Sequence, residues 1–147
     1  MNKHTATAML LTLLAAASSS VLADEQLVLI VSADSKIEQL DSLEVRKLFL
    51  GLTVTHNGER LRPVLNEADA RVKQVFLQNV VSMSDITYDR RLLRLALQQG
   101  RTQPIAYKDT AFLIKAVTTD PVAVSYVWAK DVAHNADVKI IRVLWHD

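Results

Sequence analysis

The spacing of apolar positions along this chain changes period several times, and each change marks a structural element. Leu27, Val28, Leu29, Ile30 and Val31 form an unbroken apolar run within Gln26–Ser32, which predicts a strand covered on both faces. Val45, Leu48 and Phe49 then fall on one face of a short helix. Asp41 is placed to cap its first turn, Glu44 to reach back three residues, and Gly51 to end it in the left-handed region.

Thr53–His56, Asn57-Gly58 and Glu59–Leu65 read as a hairpin, because Asn-Gly supplies the positive φ angles of a tight turn. Pro63 makes its second arm an edge strand or a strand end. Val72, Val75, Phe76 and Val80 recur at helical spacing between Asp69 and Val80. Ser84-Asp85 opens a third helix that Gly100 closes, with Leu92, Leu93 and Leu97 as its inward face and Arg90, Arg91 and Arg94 on its solvated side. Arg101–Pro104 is a loop. Asp109 caps a fourth helix with Phe112, Leu113, Ala116 and Val117 inward, and Asp120-Pro121 stops it. Val122–Val127 and Val138–Leu144 are strand patterns. Strands alternating with helices predict a single α/β domain, a mixed sheet flanked by helices.

The first 23 residues change the picture of location. Lys3 gives a positive start, Ala8–Ala17 a short apolar run, and Val21-Leu22-Ala23 a small-residue cleavage site. The expectation is a cleaved signal peptide at 1–23, a domain at 24–147, and a soluble periplasmic protein with no membrane insertion after cleavage. The apolar run falls short of the roughly 20 residues that a membrane span needs. With no cysteine, a lipid anchor, disulfides and thiolate metal sites are excluded. The chain has 17 basic and 16 acidic residues, and cleavage removes one lysine and no acid. The mature domain is therefore close to neutral, which argues against a nucleic-acid partner.

Catalytic constellations are absent. His56, His134 and His146 are widely separated, without the helical pair that zinc favours. No Gly-x-Ser-x-Gly elbow, P-loop or dinucleotide fingerprint occurs. Glu67 and Asp69 could do acid–base work in principle, but acids just before a helix suit capping better. The expectation is a protein that is not an enzyme and holds no cofactor or metal.

The order of these segments resembles a known family. Leu48-Phe49-Leu50-Gly51, Asn57-Gly58, Pro63-Val64, Phe76, Pro104 and Pro121–Val127 follow the first strand in an order similar to small single-domain phosphate ABC transporter substrate-binding-like proteins. These are relatives of two-lobed periplasmic phosphate-binding proteins. Val122 and Ser125 stand where the family's closing strand carries glycines. The resemblance implies one lobe of a periplasmic binding protein. It also implies an exported solute-binding module for phosphate or another oxyanion, working with a membrane transporter or other envelope protein.

In the larger relatives an arginine and a Gly-Ser-Gly-Thr-like turn hold the oxyanion at a helix start. The matching stretch here is Asn66–Val72, with Asn66 near the arginine position, Ala70 near the serine and Val72 near the threonine. Asn66, Arg71 and Arg101 are the polar candidates for ligand binding. Glu67 and Asp69 bring negative charge to that helix start. They motivate the alternative, a ligand-free interaction module of the same fold that docks onto a periplasmic or membrane partner.

Overall fold

The computed structural model describes residues 25–147, so the predicted leader lies outside the described residues. A five-stranded sheet runs in the order β5-β4-β6-β1-β7. Its strands are β1 (Gln26–Ser32), β4 (Arg62–Asn66), β5 (Ile105–Tyr107), β6 (Ala123–Trp128) and β7 (Val138–His146). β4 is parallel to both β5 and β6, whereas β1 is antiparallel to β6 and β7, so the sheet is mixed as expected.

Strand alternation divides the core into two layers. Leu27, Leu29, Val31, Val124, Tyr126 and Trp128 face one side, and Val28, Ile30, Ala123 and Val127 face the other. The first face is covered by α1 (Ser42–Phe49), α2 (Ala70–Phe76) and α3 (Asp85–Gln99). Phe76 stacks on Tyr126 at 3.9 Å between ring centroids, and Phe49 meets both rings edge-on. The second face is covered by α4 (Thr110–Thr118) and α5 (Ala129–Val132) through Leu113, Val117 and Val132.

The first helix has the punctuation that its sequence carries. Asp41 accepts from the Glu44 amide at 2.8 Å, and Glu44 accepts from the Asp41 amide at 2.9 Å, closing a capping box. Gly51 follows at φ 84°, and the Leu52 amide bonds back to Lys47 while the Gly51 amide bonds to Leu48. These are the paired bonds of a Schellman end.

Four expectations are corrected. The predicted hairpin is real but small, β2 (Thr55–His56) against β3 (Glu59–Arg60), with Asn57 at φ 50° and Gly58 at 78°. The chain then leaves it, and β4 is an interior strand with Pro63 near its start, so of the two readings of that proline the strand end holds and the edge does not. Pro63 is tolerated because β4 pairs with β5 only from Val64 onward, so the missing amide falls before that ladder begins.

The second predicted helix changes pitch after Phe76 into a π-helical turn, Leu77–Val81. The wider turn rotates the inward position by one residue, burying Val81 completely in place of Val80. On α3 the buried residues are Tyr88 and Leu92, while Leu93 and Leu97 are 49% and 77% exposed. Phe112 of α4 is likewise exposed, because Leu113 and Val117 take the sheet-facing stripe. Strand β5 and helix α5 were not anticipated, being three and four residues long.

Candidate functional site

Ligands of open α/β sheets collect beyond the carboxyl ends of parallel strands. Here those ends deliver Asn66 from β4, Tyr107 from β5 and Trp128 from β6, with the start of α2 just beyond β4. The residues at this end are already committed to one another. Asn66 is buried, donates its side-chain amide to the Tyr126 carbonyl at 2.9 Å, and accepts from the Ala68 amide at 2.9 Å. Its backbone amide donates to the Tyr126 hydroxyl. Burial raises the Tyr126 pKa well above its ordinary value, so the phenol stays neutral.

Asp69 occupies the mouth of α2. One carboxylate oxygen accepts from the backbone amides of Arg71 at 2.8 Å and Val72 at 3.2 Å, and the other from the Trp128 indole at 3.0 Å. Desolvation works to raise its pKa. The Val72, Trp128 and Arg71 donors, with the nearby Lys130 charge, outweigh that and hold the carboxyl below its usual range. Two helix-start amides and an indole N–H converging on one anionic group is an oxyanion seat. The group in it belongs to the chain itself.

The surrounding charges are balanced in the same way. Arg71 pairs with Glu25 at 2.9 Å and lies over the Trp128 ring at 6.0 Å from its centroid, while Lys130 reaches the same Glu25 at 3.9 Å. Lys73 bridges Glu67 and Asp85, and those acids raise its pKa against the opposing effect of burial. The Asp131 carboxyl is pushed up by desolvation, with Lys130 opposing and Asp69 adding to the shift.

Arg101 lies at the other end of the sheet, before the start of β5. There it belongs to a row of three donors on the last carbonyls of α1. The Tyr88 hydroxyl donates to Phe49 at 2.6 Å, Arg91 Nε to Leu50 at 2.9 Å, and Arg101 Nη1 to Gly51 at 2.7 Å. Basic side chains at a helix C-terminus satisfy orphan carbonyls and oppose the dipole. The structure thus brings Asn66 and Arg71 to one end and leaves Arg101 at the opposite one.

Sequence reasoning read Asp69 as an acid suited to capping the helix, and it missed Trp128 altogether. The signal for Asp69 was present, an Asp immediately before an apolar helical period. Nothing local marks Trp128, whose part depends on β6 lying beside β4. Among the described residues no group of three or more His, Asp or Glu could hold a metal ion, and no helix is long and apolar enough to cross a membrane.

Searches by sequence find no matching family model and no matching curated protein. Solved structures do match. A phosphate ABC transporter substrate-binding protein with bound phosphate from Clostridium perfringens superposes with a TM-score of 0.62 at 12% identity, over 81% of this chain and 45% of that one. An ABC-type phosphate transport receptor from Vibrio cholerae gives 0.59 at 13%, over 81% and 46%. PstS from Borrelia burgdorferi gives 0.56 at 14%, over 80% and 47%. The chain has the fold of phosphate ABC transporter substrate-binding proteins, and it spans less than half the length of the structures it matches.

Proposed function

We infer that this protein is an exported binding module of the substrate-binding-protein fold that docks onto an envelope partner and does not itself hold a free oxyanion. The observation that carries this reading is the Asp69 carboxylate. It takes the two α2 amides and the Trp128 indole that would otherwise receive an anion. A phosphate entering there would have to displace a group tethered at effectively high local concentration, and would meet Glu67 nearby. The chain also lacks the hydroxyls that the resemblance would place on the ligand, with Ala70 and Val72 in their stead. Export rests on the leader pattern of residues 1–23, and noncatalytic action on the absence of any catalytic constellation in the sequence.

The competing reading is a receptor for phosphate or another oxyanion serving a transporter, with Asn66 and Arg71 at the ligand. It draws on the fold and on the phosphate held by the Clostridium perfringens relative. Calorimetry of the mature protein against phosphate, sulfate and small carboxylates separates the two. The docking reading predicts no saturable heat and recovery of a stoichiometric envelope partner on affinity capture. Tight oxyanion binding with no partner would reject it.

A further inference from the structure

The end of the sheet opposite Asp69 carries an open groove of about 1020 Å³, bounded by α1, α3, α4 and the edge strand β5. Its lining is mixed: Leu48, Leu52, Leu95, Ala96 and Ile105 stand among glutamines, threonines and arginines, and Leu52 and Ile105 are 42% and 58% exposed. The charged side chains lining it are Arg60, Arg62, Arg101 and a single acid, Asp120. Arg62 is paired with Asp120. A smaller notch along α3 is lined by Arg90, Arg91 and Arg94 with Met83 and Thr87. Arg91 and Arg101 bond to the successive carbonyls of Leu50 and Gly51 at the C-terminal end of α1.

Among the described residues, none of Arg60, Arg90, Arg91, Arg94 and Arg101 has a carboxylate within ion-pair distance. In a nearly neutral domain this leaves Arg60 and Arg101 as unmatched charges on the groove itself, with three more arginines along α3. Strand addition is a poor way to fill it. β5 is three residues long, with Pro104 before it and Lys108 after it, features that protect an edge from pairing. Side-chain docking fits better, since the apolar part of the lining accepts an anchor and Arg60 and Arg101 accept flanking carboxylates. Asp89, beside the arginines on α3, disfavours an anionic lipid surface over a protein segment that can place its acids individually.

We propose that this groove is the docking site for a segment of a partner protein in which a Leu, Ile, Phe or Trp anchor is flanked by Asp or Glu. The proposal rests on the docking reading above and deepens it by naming the surface and the chemistry of the partner. Panning a random phage-displayed peptide library on the mature protein tests it. The enriched sequences are expected to carry acids beside a large apolar residue, and a synthetic peptide of that sequence to bind less tightly as salt rises.

Arg60→Glu and Ile105→Asp, both at exposed positions, are expected to weaken that peptide about tenfold or more each, while Lys130→Glu at the opposite end leaves it unchanged. Circular dichroism of the variants checks that they fold. Peptides with no acidic bias, affinity unmoved by both groove variants, self-association through the groove, or binding of phosphatidylglycerol vesicles through the same residues would each overturn the proposal. Peptide binding insensitive to the groove variants removes the groove and leaves the docking reading intact. Absence of any enriched peptide together with saturable phosphate binding removes both.

Discussion

Asp69 holds two elements with one carboxylate: it caps α2 and accepts from the Trp128 indole of β6. Its depressed pKa fixes how stability depends on pH. A carboxyl held lower in the folded than in the unfolded state, where its ordinary value is 3.8, contributes its full stability above that value and loses it as pH falls through the folded pKa. Asp69→Asn retains the shape but not the charge. Thermal melts should show wild type above Asp69→Asn at neutral pH, with the gap closing below about pH 4. Asp69→Ala should cost about 1 to 2 kcal/mol in chemical denaturation, as loss of an N-cap does. Asn66 is a comparable test at the neighbouring position. Asn66→Ala strands the buried Tyr126 carbonyl and the Ala68 amide, for about 1 to 3 kcal/mol.

At the scale of elements, the π-helical turn decides which residue reaches the core. Val81→Ala should cost about 2 kcal/mol or more in urea denaturation, and Val80→Ala clearly less, because Val81 is fully buried and Val80 only partly. Asn79 supports the turn by donating its side-chain amide to the Val75 carbonyl at 2.9 Å. Gly51 closes α1 at φ 84°, and a Cβ there would stand 2.6 Å from Leu95 Cδ1. Gly51→Ala should therefore lose about 1 to 2 kcal/mol through backbone strain alone, measured by the same denaturation.

These elements also show what the sequence could and could not reveal. The caps at Asp41, Asp69, Ser84 and Asp109 and the glycines at 51, 58 and 100 were legible because each acts through the adjoining turn. The exposed Leu93, Leu97 and Phe112 were misplaced because helical period alone does not say which apolar stripe meets the sheet. The interior position of β4 was hidden for a similar reason. Pro63 reads as an edge signal until the offset of β5 is known.

The whole molecule is one lobe's worth of a binding-protein fold with its two ends treated differently. At the carboxyl ends of the parallel strands, Glu25, Glu67 and Asp69 neutralise Arg71, Lys73 and Lys130 from within. At the other end, Arg60, Arg62 and Arg101 line a groove whose one acid, Asp120, pairs with Arg62. The fold was readable from ordered local signals, while the filled seat was not, because it needs β6 and the start of α2 side by side. A shared topology does not by itself carry over a shared ligand site.

The most direct measurement is a calorimetric titration of the mature wild-type protein with phosphate at neutral pH, beside an Asp69→Gly variant that releases the α2 amides and the indole. Glycine is tolerated at an N-cap, so the variant should fold. With Asp69 in place, wild type should give no saturable heat up to about 10 mM phosphate, which corresponds to a Kd weaker than about 10 mM. Any phosphate binding should appear only in the variant. Saturable binding by the wild type, undiminished by the carboxylate at position 69, would contradict the account.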